Sequence, residues 1–106
     1  MEKVVIIQED VIDFLENLIR VLFEKEYFGF EGSAQIYVSR MYDFIEFELI
    51  NFPPKQTPNN LIRYGSNYVF YKANNRTTWY IFFEKKGNRY LVTYITNNHM
   101  AEANTL

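Results

Sequence analysis

The stretch TTWYIFFEKKGNRYLVTYI, residues 77–95, sets the fold class, because it reads as two strands joined by a tight turn. Thr77 to Glu84 is rich in β-branched and aromatic residues, Lys86-Gly87-Asn88 supplies the turn, and Arg89 to Ile95 resumes the strand pattern. The first strand is apolar on both faces, with Trp79, Ile81 and Phe83 on one and Tyr80 and Phe82 on the other. A strand that buries both faces belongs in the middle of a sheet. The second alternates Leu91, Thr93 and Ile95 against Tyr90, Val92 and Tyr94, which predicts one tyrosine-rich face.

Working outward, Asn67 to Lys72 is a third strand, joined to the next through Asn74-Asn75. Ahead of it, residues 51–60 hold three prolines and read as a long loop between a helical layer and the sheet. The 46 residues that follow Asn60 are too few for a core of their own, so residues 1–106 read as a single domain. At the other end, the β-branched run from Lys3 to Gln8 is a short strand, and Glu9 and Asp10 put negative charge where a helix N-terminus favours it. Val11, Leu15, Leu18, Ile19 and Leu22 then recur at helical spacing, with the helix ending near Gly29. A second helix is expected with Ser33 as its N-cap, a stripe of Val38, Met41, Tyr42, Ile45 and Leu49, and a stop at Pro53-Pro54. The short connection between the helices predicts an antiparallel hairpin. The fold class is therefore α+β: an N-terminal strand, an antiparallel helical hairpin and a three-stranded antiparallel meander, in the order β-α-α-β-β-β. Residues from about 97 to 106, opening on Asn97-Asn98-His99, read as a polar tail.

Composition narrows the chemistry. Cysteine is absent, which excludes thiol nucleophiles, thiolate metal sites and disulfides and fits a reducing compartment. With one histidine, no phosphate-binding loop and no nucleophile elbow, neither a metal nor a cofactor is expected. The apolar run Val4-Val5-Ile6-Ile7 is far shorter than a membrane span, so the expected location is cytoplasmic, with no membrane partner. The net charge of −2 is unevenly spread. Residues 1–54 hold 11 acids against 4 bases, a balance of −7, and residues 55–106 hold 2 acids against 7 bases, a balance of +5. A sheet built from the second half would carry a positive potential suited to nucleic acid or an acidic peptide. Solvated lysines at hairpin tips would produce the same count.

The order of elements over nearly the whole chain resembles the RelE/ParE superfamily of toxins from bacterial toxin–antitoxin systems. The resemblance is carried by Lys3 to Gln8 running into an acidic-capped helix, by the stretch from Leu61 to Tyr71, and by a last strand followed at once by His99. It implies a protein neutralised by an antitoxin. Nuclease members, known as mRNA interferases, cleave messenger RNA at the ribosome without a metal, through attack of the ribose 2′-hydroxyl on the adjacent phosphate. That step needs a base, an acid and cations for the pentavalent charge. The resemblance implies Arg63 as the phosphate cation and His99 as acid or base. Arg89 and Tyr94 match the family less specifically, and with Arg76 and Lys85 they complete a set of candidate RNA-binding contacts. Each has a plain alternative: Arg76 protects a strand end, Lys85 is solvated at a hairpin tip, and Tyr94 packs across strands. Members of the ParE type inhibit DNA gyrase instead, and an inactive homologue or a non-enzymatic interaction module would use the same fold. These readings stay open on the residues alone.

Overall fold

A computed structural model describes residues 3–24 and 31–106. The β-branched run Val4–Ile7 forms β1. At Gln8 the backbone carbonyl accepts from the N–H groups of Val11 and Ile12, which starts α1, Glu9–Glu24, with Glu9 and Asp10 in its first turn. The apolar stripe predicted for this helix buries Val11, Leu15 and Leu18. Its expected end near Gly29 lies outside the described residues. α2 runs over Glu31–Asp43 and continues through a π-helical turn, Phe44–Glu48, and a 3-10 turn, Leu49–Asn51. Ser33, expected from sequence to be the N-cap, therefore lies inside the first turn of α2 instead. A cap is worth about 1 kcal/mol, less than packing along a helix face that buries Ala34, Val38 and Met41. The proline pair at 53–54 ends the helical layer as expected.

The segment 51–60 is not a plain loop, because Lys55–Gln56 forms a short strand, β2. A 3-10 helix, Asn59–Tyr64, follows, then β3 (Asn67–Lys72), β4 (Thr78–Lys86) and β5 (Arg89–Asn97). The sheet has five strands in the order β1-β5-β4-β3-β2. The antiparallel meander of β3, β4 and β5 matches the expectation, and β4 is the middle strand, but the sheet is wider than three. β1 joins it parallel to β5, and β2 pairs antiparallel with β3 at Tyr68 and Asn67. Two residues of β2 are too few to show a period in the sequence.

Both helices pack on one face of this sheet. Trp79, Ile81 and Phe83 of β4 point into that core, and the Trp79 indole N–H donates to the Tyr37 hydroxyl at 2.8 Å. The alternation expected for β5 does not survive. Phe82 pairs with Tyr94, whereas Phe83 pairs with Val92, so Thr93 is an extra residue, a β-bulge. One inserted residue reverses the facing of everything after it. Tyr90 and Val92 face the helices, Ile95 joins them, and Tyr94 and Thr96 turn to the opposite face. The predicted tyrosine-rich face made by Tyr90 and Tyr94 together is thereby corrected: the two rings lie on opposite sides of the sheet. The chain end is also no free polar tail, because Ala101–Thr105 forms a 3-10 helix with Ala103 buried.

Candidate functional site

The bulge builds the site. By turning Tyr94 and Thr96 away from the helices, it sets them on the open face of the sheet, beside Phe82. Tyr64, the last residue of the 3-10 helix, lies flat on Tyr94 with ring centroids 4.0 Å apart and planes 13° apart. This approach is close because Gly65 follows: a Cβ there would stand 2.9 Å from the Phe83 backbone nitrogen. The Thr93 hydroxyl donates to the Tyr64 carbonyl and so ties the bulge to the overlying segment.

Arg63 completes a stack. Its guanidinium carbon sits 4.5 Å from the centre of the Tyr64 ring, Nη1 donates to the Asn60 carbonyl at 2.8 Å and Nη2 to the Tyr64 hydroxyl at 3.1 Å. From the C-terminal 3-10 helix, Glu102 accepts the Tyr94 hydroxyl at 2.9 Å and the Thr96 hydroxyl at 3.0 Å on one carboxylate oxygen, Oε1. Burial, then the bond to Glu102 and the charge of its carboxylate, push Tyr94 up to about 12. Glu102 is held below the usual carboxylate value by its own backbone N–H, by the two hydroxyls and by the charge of Arg63, which together outweigh desolvation. At neutral pH the cluster therefore holds a fixed cation, an ionised carboxylate and a phenol that keeps its proton.

Across the same open face, toward β2, lies a shallow groove of about 290 Å³ lined by Lys55, Tyr68, Phe70, Lys72 and Tyr80. The Lys55 ammonium is 5.7 Å from the Phe70 ring centre, and Tyr68 meets Tyr80 edge to face at 6.1 Å and Phe82 at 5.7 Å. Lysines alternating with rings along one sheet face suit a strand of bases on a phosphate backbone.

His99 is elsewhere. Its Nε2 is 3.1 Å from the Thr77 hydroxyl, and it lines a cavity of about 480 Å³ with Leu18, Leu22, Tyr37 and Trp79, on the helical side of the sheet. Arg63 and His99, paired by the sequence reading, share no neighbour in these contacts. Arg76 sits in the β3–β4 turn, its N–H bonded to Asn74 Oδ1 at 2.8 Å and its carbonyl to the Asn98 amide at 3.0 Å. Lys85 lies over the Tyr90 ring at 5.5 Å on the helical side, and Arg89 opens β5 opposite Lys86. Of the candidate contacts, Tyr94 alone joins Arg63.

Comparison with known proteins finds no matching family model, curated protein or solved structure.

The residues missed by sequence reasoning are Tyr64, Glu102, Lys55 and the alternating set Tyr68, Phe70 and Lys72. The last three follow a period of two on β3 and were findable from sequence. Tyr64 and Glu102 reach Tyr94 from 30 and 8 positions away, and no local pattern announces them. Among the described residues no group of three or more His, Asp or Glu stands ready to hold a metal ion, and no helix is long and apolar enough to cross a membrane.

Proposed function

We propose that the chain is a RelE/ParE-like toxin-family protein that acts on messenger RNA at the ribosome as a metal-independent endoribonuclease, and that an antitoxin neutralises it. The observation that supports this best is the open sheet face, where the lysine–tyrosine groove of Lys55, Lys72, Tyr68 and Tyr80 leads toward the stack of Arg63, Tyr64 and Tyr94. The groove holds the RNA backbone and stacks its bases. Arg63 stabilises the charge on the pentavalent phosphate. Proton transfers fall to the ionised Glu102 as acceptor and the protonated Tyr94 as donor, in place of a role for His99 beside Arg63. Such an activity belongs in the cytoplasm, where the ribosomes are.

The test is a cell-free translation reaction in which message ends are mapped by primer extension, with wild type beside Arg63→Ala, Glu102→Gln and His99→Ala. New ends that require translation and disappear in the first two variants are the expected result. Intact message with normal protein yield refutes the nuclease reading.

The separation of Arg63 from His99 favours a second reading, in which the domain binds a protein, gyrase included, without cleaving anything. It predicts that His99→Ala and Glu102→Gln leave growth inhibition intact while changes at Tyr68 or Tyr80 weaken capture of the partner.

A further inference from the structure

β1 runs beside β5 only from Arg89 to Val92, and Gln8 closes that pairing by donating its N–H to the Val92 carbonyl at 3.0 Å. The chain then turns into α1. Among the described residues, no strand occupies the lane beside residues 93–97 of β5 on that side. Asn98 donates its N–H to the Thr78 carbonyl on β4, so by the alternation of antiparallel strands the N–H and C=O of Asn97 and Ile95 point the other way, into the lane. Met100 takes the Asn97 carbonyl. For Ile95, no backbone partner on that side appears among the described residues.

Two cavities run along this lane. One, of about 280 Å³, lies between the first turns of α1 and β5, and the other, of about 480 Å³, continues toward Leu22 and His99. They share Trp79, Asn97 and Met100, which makes them one trench. α1 forms its wall from Asp10 to Leu22, a rise of about 18 Å, enough for about five residues of extended chain. Phe14 and Met100 at its lips are 42% and 49% exposed, far more than their size favours. Asp10 and Glu102 line the trench, and among the described residues no lysine or arginine does.

We propose that this trench binds an extended segment of a separate protein chain, apolar on one side and carrying lysine or arginine, whose backbone pairs with the free edge of β5. The free edge selects extended backbone, the apolar walls take alternate side chains, and the acidic rim selects basic residues over acidic ones. The lysine–tyrosine groove on the open face asks for the opposite charge, so groove and trench take different ligands, while Tyr94 and Glu102 border both the trench and the Arg63 stack. The trench stands whether or not the open face cleaves RNA.

The experiment is a titration of the full chain, labelled with nitrogen-15, with the peptide Val-Lys-Val-Lys-Val-Lys-Val, followed by amide NMR. Two further peptides accompany it, one with glutamate replacing lysine and one with alternate backbone amides N-methylated. Shifts confined to α1, Trp79, residues 93–97, His99, Met100 and Glu102, with slowed exchange of the Ile95 amide and at least tenfold weaker binding of both control peptides, are expected. In the variant Met100→Lys, checked for native amide dispersion, the lysine peptide should also bind at least tenfold more weakly. Equal binding of the glutamate peptide or of the N-methylated peptide, shifts centred on Tyr68 and Tyr80, or no shifts at millimolar peptide would each overturn the proposal.

Discussion

Replacing Gly65 with alanine tests the hinge on which the site depends. The added Cβ would stand 2.7 Å from the Thr93 hydroxyl oxygen, 2.9 Å from the Phe83 backbone nitrogen and 3.0 Å from the Phe82 Cβ. Ordinary contacts lie at about 3.5–4.0 Å. None of the three neighbours can retreat cheaply: the hydroxyl is bonded to the Tyr64 carbonyl, and Phe82 and Phe83 are fully buried in the central strand. Relief must come from the overlying segment, which lifts by about 0.5–1 Å and carries Tyr64 off Tyr94. Overpacking of this kind costs about 1–3 kcal/mol, and loss of the Thr93 bond adds about 1 kcal/mol. A net loss of about 2–4 kcal/mol should lower Tm by about 10–20 °C in a domain of this size. The assay is thermal and urea unfolding followed by fluorescence of the single tryptophan, Trp79. Gly87→Ala is the comparison. Its φ is +61° but its Cβ meets nothing within 4 Å, so it carries only the left-handed backbone cost of about 1–2 kcal/mol. A Gly65→Ala protein within about 2 °C of wild type, or one more stable than Gly87→Ala, would refute the close approach of Gly65 to the bulge. The double variant with Thr93→Ala should recover part of the loss but not all, because the Phe83 nitrogen remains.

Three other outcomes follow from the same contacts. Thr57 is 2% exposed and its hydroxyl has no partner among the described residues, so Thr57→Val should raise the urea midpoint by the equivalent of about 1 kcal/mol, and a loss would show a partner at that hydroxyl. Tyr37→Phe removes the acceptor of the buried Trp79 indole N–H and should cost about 1–2 kcal/mol by urea unfolding, with an unchanged midpoint counting against the bond. Because the folded Tyr94 holds its proton up to about 12, its share of stability is complete below pH 10 and is lost as pH rises toward 12. Glu102 works in the other direction, since its lowered pKa makes its share complete above 4.5 and lost as pH falls through the folded value. Urea midpoints taken across the pH range should show both limbs, the alkaline one shallower in Tyr94→Phe.

The helical stripe of α1, the three strands of the meander and the central place of β4 were legible in sequence because each rests on a repeat within a few neighbouring residues: Val11, Leu15 and Leu18 for the helix, and rings on both faces of residues 79–83 for the strand. Arg63 and Tyr94 were also named from sequence, and the fold makes them neighbours through Tyr64. The parallel docking of β1 on β5 and the two-residue β2 were not legible, since pairing partners lie far apart in the chain. The decisive feature was the bulge at Thr93. Residues 89–97 carry an unbroken strand pattern, and the extra residue sits where the Thr93 hydroxyl meets the Tyr64 carbonyl beside Gly65, a contact across 29 positions. The bulge sets which way Tyr94 and Thr96 face, and with them where Glu102 docks. Local periodicity thus determined the elements of this protein, and packing between distant segments decided which side of the sheet became a site.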